Sequence, residues 1–171
     1  MRRPPPALPT TPIVPGPGQE SVWDYPRPPR VERSGEHVVV RLGGQVVADT
    51  REAVRVLETS HPPVYYLPRA AFAEGVLAEA PGSSTCEFKG AARYFDLHVG
   101  EIVAPRSAYY YPDPWSDYEE LRARVAVYPG AMDSCEIDGE QVIPQEGGFY
   151  GGWITSRVVG PFKGGPGTLG W

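Results

Sequence analysis

The chain has 171 residues, 41% of them hydrophobic and 22% charged, which suits one domain around one core and leaves too little for two. With 16 Lys and Arg against 21 Asp and Glu, the net charge is −5 and the pI is near 5.2. Such a balance gives no basic footprint for a phosphate backbone and argues against nucleic acid as a general partner.

Proline and glycine, at 21 and 20 copies, punctuate helices and strands rather than fill them, so many turns and short elements are expected. Ten tyrosines and four tryptophans suit strand faces and ring-lined pockets. Cys86 and Cys135 have no partner at a redox or zinc-motif spacing, so neither a disulfide framework nor a metal knuckle is expected. Two arginines near the N-terminus are followed by prolines where a secretory signal needs an unbroken apolar stretch, and no apolar run is long enough to span a bilayer. A cytoplasmic protein without a membrane anchor is the expectation.

In chain order, residues 1–20 read as a disordered proline-rich arm, since few large apolar side chains are present to offset the entropy of ordering. Residues 21–171 read as a single domain, with order starting near Trp23. Two β-branched runs, 37–42 and 45–48, flank Gly43-Gly44 and predict a hairpin. Residues 53–57 and 64–67 read as strands. Residues 70–79 carry helix-forming alanines and glutamates, weakened by Gly75 and ended by Pro81-Gly82, and predict at most a short helix. Residues 92–99 alternate, Phe95, Leu97 and Val99 on one face against Tyr94, Asp96 and His98 on the other. Residues 108–111 predict a strand closed by Pro112. Ser116-Asp117-Tyr118-Glu119 has the form of a capping box and predicts a helix over 117–123. Residues 125–128 return to strand, Asp138-Gly139 predicts a second two-residue hairpin, and 153–159 predict a last strand. Many strands with one or two short helices indicate a mainly β domain, a twisted antiparallel sheet or an open barrel.

Several segments in order, Pro63-Val64-Tyr65-Tyr66-Leu67-Pro68, Thr85-Cys86-Glu87-Phe88-Lys89-Gly90 and Tyr109-Tyr110-Tyr111-Pro112, resemble the family called domain of unknown function 427. Val125-Ala126-Val127-Tyr128-Pro129 and the tail from Gly152-Trp153 to Gly170-Trp171 resemble its longer members. The resemblance implies a β-tent-like fold, in which two antiparallel sheets lean together around a cleft. It implies no assigned activity. Zinc sites of some β-tent relatives use paired C-x-x-C motifs that this chain lacks, and neither a phosphate-binding Walker loop nor the paired aspartates of a nucleotidyl transferase is present.

Among candidate groups, Lys89 stands first. Held between Phe88 and Gly90 in partly apolar surroundings, it can serve as anion clamp, base or nucleophile, with surface lysine as the plainer reading. Cys86, three residues away, is either a thiolate favoured by that cation or an inert buried thiol. Tyr65, Tyr66, Tyr109, Tyr110 and Tyr111 come from two short strands, so alternation sends some rings inward and others outward. Trp153 and Arg157 are expected on one strand face, where an arginine beside a ring clamps a carboxylate or phosphate or simply stacks. His37, His61 and His98 with Asp96 fall short of a metal set, and the glycine-rich stretch 164–167 beside Lys163 is either an anion cradle or a turn.

The leading expectation is a small-molecule-binding domain whose cleft is built from Tyr65, Tyr66, Lys89, Tyr110, Trp153 and Arg157, with Lys89 and Arg157 meeting an anionic group. It calls for no cofactor and no metal. One alternative is an enzyme of transferase, lyase or redox type using Lys89 or Cys86. Another is an interaction module whose exposed tyrosines and arm meet a protein partner or a second copy of the chain in a homodimer.

Overall fold

A computed structural model describes residues 8–86, 88–148 and 150–171. Its strands are β1 (Glu20–Ser21), β2 (Arg30–Arg33), β3 (Val38–Leu42), β4 (Gln45–Thr50), β5 (Val54–Leu57), β6 (Val64–Pro68), β7 (Leu77–Cys86), β8 (Gly90–Val99), β9 (Ile102–Tyr110), β10 (Arg124–Val127), β11 (Ser134–Ile137), β12 (Glu140–Gln141), β13 (Ile143–Pro144), β14 (Trp153–Ile154) and β15 (Val158–Val159). Two antiparallel sheets carry the fold. The larger has seven strands in the order β2-β5-β6-β10-β9-β8-β7, and the smaller four in the order β12-β11-β3-β4. Each sheet keeps two edge strands, so neither closes into a barrel.

Both two-residue hairpins form where the sequence places them. Gly43 and Gly44 lie at φ +60° and +74°, Asp138 and Gly139 at +49° and +83°, the left-handed pair that a tight hairpin turn demands. Pairing of β3 with β4 and with β11 then lines up Val38, Val40, Ile137 and Cys135 on one face of the small sheet. Against them pack Tyr65 and Leu67 of β6, Phe95 and Leu97 of β8, Ala108 of β9 and Val125 and Val127 of β10, all buried in the same cluster. The core therefore sits between the two sheets. The alternation read over 92–99 is what directs Phe95, Leu97 and Val99 into it.

Opposite parity has a second consequence. Val54, Val56, Tyr66, Ala92 and Ala126 point to the outer face of the large sheet, where they form a separate buried cluster with Tyr111, Tyr118 and Leu121. A face that would otherwise meet water is covered by the 116–121 segment and by the turn that leads into β8.

Three local expectations are corrected. Over 70–79 the chain makes a 3-10 turn, Arg69–Ala71, and then enters β7, because residues from Leu77 onward pair with β8 and cross-strand bonding overrides helix propensity. The capping box does not form: Trp115 occupies the cap position with no side-chain bond, and Ser116–Leu121 is a 3-10 segment interrupted at Tyr118. It is held by burial of Tyr118 and Leu121 and by the Tyr118 hydroxyl donating to Pro29 O at 2.9 Å. The strand expected over 153–159 is two strands, since Glu140 accepts both the backbone N–H and the hydroxyl of Ser156, each at 2.6 Å, and turns the chain between them. Trp153 and Arg157 therefore do not share a strand face.

Of the stretch read as an arm, residues 1–7 lie outside the described residues. Farther on, Ile13 N–H donates to Gly160 O at 2.9 Å, the Gln19 side-chain amide donates to Ser156 O at 2.9 Å, and β1 pairs in parallel with β15. Among the described residues no helix is long and apolar enough to cross a membrane.

Candidate ligand-binding site

The outer face of the large sheet holds a cavity of about 320 Å³. Its floor is sheet: Val56 of β5, Tyr66 of β6, Ala92 and Tyr94 of β8 and Tyr109 of β9 reach it by strand parity, with Tyr111 two residues beyond Tyr109 on the same side. Cys86 closes β7, and the turn into β8 brings Phe88 and Lys89 to the rim. That turn is tied down where Trp115 N–H donates to Lys89 O at 3.2 Å. The facing wall comes from irregular chain: Glu58, His61, Gln145, Tyr150, Gly151 and Lys163.

Gln145 organises this wall. Its amide donates to Lys163 O at 2.6 Å and lies 3.5 Å from His61 Nδ1, while its Oε1 accepts from Gly152 N–H at 3.1 Å. Lys163 N–H in turn donates to Ser60 O at 2.9 Å. Gly151 brings its backbone so close to the floor that a Cβ there would stand 3.0 Å from the Tyr109 hydroxyl. Only glycine allows that approach without displacement.

Two of the ring pairs meet edge on, while Tyr66 is tilted at 37° to Tyr111 and Tyr109 at 45° to Tyr128. Tyr66 and Tyr109 are 6.0 Å apart at 86°, Tyr109 and Tyr111 6.3 Å apart at 90°, the arrangement favoured by ring quadrupoles. Burial pushes the hydroxyls of Tyr66, Tyr109 and Tyr111 well above the usual phenol range, and that of Tyr128 to about 12. All are neutral donors at physiological pH. Burial also drives His61 down to about 4, against the opposing pull of Glu58 at 3.4 Å, so its ring is neutral as well. Glu58 is matched by Arg27 at 3.3 Å. The positive charge left facing the cavity belongs to Lys89, whose ammonium lies 6.0 Å from the Tyr111 ring centre, and Lys163, 5.8 Å from that of Tyr150. Lys163 Nζ also donates to Trp171 O at 3.2 Å. These are the only two lysines in the chain.

Of the six residues expected to build the cleft, Tyr66 and Lys89 meet at this cavity, joined by Cys86, Tyr109, Tyr111 and His61 from the wider set of candidates, while Tyr65, Tyr110, Trp153 and Arg157 do not. Tyr65 points between the sheets, its ring 5.0 Å from that of Trp153, and its hydroxyl donates to Glu36 at 2.8 Å. Trp153 is 1% exposed and belongs to the core. Arg157 is held by Glu36 and by Asp138, the latter at 2.7 Å, and lines a different depression. Tyr110 stacks on Phe95 at 4.5 Å and donates to Glu79 at 2.6 Å. Cys135 sits in the core, where burial pushes its thiol up to about 12. His37 pairs with Asp49 at 2.7 Å, Asp96 accepts the Arg106 N–H at 2.7 Å, and the described residues contain no group of three or more His, Cys, Asp or Glu that could hold a metal. In the glycine-rich loop, Gly164 N–H is taken by the Thr168 hydroxyl at 2.8 Å.

Sequence reasoning reached Lys163 only as the neighbour of a glycine-rich loop and passed over Gln145 and Tyr150, although the scarcity of lysine is a signal legible by eye. A search of curated proteins finds no match to this chain. The model of a family described as a domain of unknown function (DUF427) matches residues 30–138, a span that includes Tyr66, Cys86, Lys89, Tyr109 and Tyr111 and stops short of Gln145, Tyr150 and Lys163. The chain belongs to the DUF427 family.

Proposed function

We propose that the protein binds a small ligand joining a planar, largely apolar body to an anionic group, in the cavity outside the seven-stranded sheet. The observation that carries this reading is the placement of both lysines on one ring-lined cavity. At about 320 Å³ it lies at the small end of ligand pockets, which run from roughly 300 to 1,000 Å³. Rings give a flat apolar body large contact at low entropic cost, and neutral hydroxyls orient it. Ammonium groups in partly desolvated surroundings hold an anion more firmly than they would in water. A covalent role for Cys86 or Lys89 is the narrower reading, supported only by their position at the cavity, so binding is the function carried forward.

Calorimetric titration with phenyl phosphate tests it. Lys89→Ala and Lys163→Ala should each weaken binding about tenfold, the loss of one charge-assisted hydrogen bond, while Arg51→Ala on the exposed turn after β4 leaves it unchanged. Equal affinity in wild type and Lys89→Ala, or no binding to wild type, would overturn the reading.

A further inference from the structure

A second depression, of about 630 Å³, adjoins the first and shares Tyr94, Tyr128, Gln145 and Tyr150 with it. Among the described residues its one cationic lining group is Arg106. Three features of the backbone aim that side chain. Between the Phe95–Ala108 and Leu97–Ala104 pairs the β8–β9 register shifts, so that residues 105–107 bulge opposite Asp96 alone. Bulges re-aim side chains and concentrate near functional sites. Within this one Arg106 takes φ +45°, a left-handed conformation costly for a residue with a side chain, and its N–H is pinned to Asp96 Oδ1 at 2.7 Å. On β7, the far neighbour of β8, the register also shifts, between Ala80 and Ser83, and Gly82 there, at φ +101°, lies beside the guanidinium, where a Cβ would make ordinary contact 3.4 Å from Arg106 Nη1.

The guanidinium lies 4.3 Å over the ring of Tyr94, whose hydroxyl is bonded to Ser84 Oγ at 2.8 Å. The cation–π contact holds the guanidinium beside the ring, and the residue is otherwise exposed. Among the described residues no carboxylate comes within ion-pair distance of Arg106, whereas Arg55, Arg122 and Arg157 each bind two. A pre-organised guanidinium without a protein carboxylate is suited to a carboxylate or phosphate from outside.

We infer that the ligand has two anionic heads: one meets Lys89 and Lys163 in the cavity, and the other reaches past Tyr94 and Tyr128 to Arg106 in the adjoining depression. This rests on the cavity reading and narrows it to a class, elongated molecules with an anionic group at each end and a ring near one of them. The wall of rings shared by the two depressions supplies the track between the heads.

Two kinds of probe separate the claims: phenyl phosphate, with one head, and phenyl phosphates bearing a para-carboxylate on alkyl tethers of increasing length. Wild-type protein should bind one tether length about tenfold more tightly than phenyl phosphate, the worth of a charge-assisted contact. Arg106→Gln should abolish that gain and leave phenyl phosphate binding unaltered, and Arg106→Lys should restore part of it, with folding of each variant checked by its melting curve. If Lys89→Ala weakens every probe but no tether length gains affinity, or Arg106→Gln keeps the gain, the two-headed ligand is refuted and the cavity reading stands. Absence of Lys89-dependent binding for all probes refutes both.

Discussion

Tyr65 and Tyr66 are chain neighbours with opposite assignments, and replacing each by phenylalanine separates core from site. Tyr65 is 3% exposed and donates to Glu36 Oε1 at 2.8 Å, an oxygen that also accepts from Ser34 Oγ at 2.7 Å. Removing the Tyr65 hydroxyl takes one of three bonds from the carboxylate, whose other oxygen is held by Arg157, leaves the ring contact with Trp153 intact and should cost about 1.5 kcal/mol, the low end for a bond to a charged group. For a domain of this size that is a fall of roughly 3–6 °C in Tm. Tyr66 faces the cavity among other hydroxyls, and Tyr66→Phe should cost about 1 kcal/mol, as for a bond between neutral groups. Affinity is the discriminating readout. Phenyl phosphate binding, followed by calorimetry beside thermal melts, should be unchanged in Tyr65→Phe and severalfold weaker in Tyr66→Phe. Loss of affinity in Tyr65→Phe with full affinity in Tyr66→Phe would refute the strand parity on which the site is built.

Three further outcomes are expected. His61, held at about 4 when folded against 6.5 when unfolded, carries a proton only in the unfolded chain across that window, so stability falls as pH drops through it, by roughly 3 kcal/mol in all; urea melts of His61→Gln should show a flatter profile there, and an unaltered one would count against burial of the ring. The buried tyrosines have raised values, so their stabilising contribution is complete below the usual phenol range near 10 and is lost as pH climbs beyond it; absorbance titration should show Tyr66, Tyr109 and Tyr111 ionising together with loss of circular dichroism, and ionisation of all ten tyrosines in a native protein would contradict this. A Cβ on Gly152 would meet Gln145 Oε1 at 2.4 Å and Pro62 Cγ at 2.5 Å, so Gly152→Ala should cost about 1–3 kcal/mol by overpacking and, by displacing Gln145, weaken ligand binding; a variant with native stability and affinity would show that the wall yields freely.

Features set by neighbouring residues were legible in sequence. Gly43-Gly44 and Asp138-Gly139 specify their turns by backbone conformation alone, and the alternation of Phe95, Leu97 and Val99 needs only one buried face. What escaped depends on partners distant in the chain. Nothing near residues 77–80 announces β8, yet pairing with it converts an alanine- and glutamate-rich stretch into strand. Nothing near Arg157 announces Glu36 and Asp138, which take the charge expected to meet a ligand. For the site, Lys89 and Tyr66 were readable as candidates, but which of two adjacent tyrosines faces the cavity depends on the register of β6 against β5 and β10. Lys163 reaches the cavity through Gln145 and Ser60, contacts that no local pattern encodes.

The central claim is that two lysines share one anion-binding cavity, and the chain's composition makes it directly observable. With only Lys89 and Lys163 present, protein labelled with ¹³C at the lysine ε-carbon gives two side-chain signals, assignable with Lys89→Arg and Lys163→Arg. Titration with phenyl phosphate should move both signals along curves fitted by one dissociation constant. If either signal stays fixed while the other saturates, or both stay fixed in folded protein, the lysines do not serve one site and the account fails.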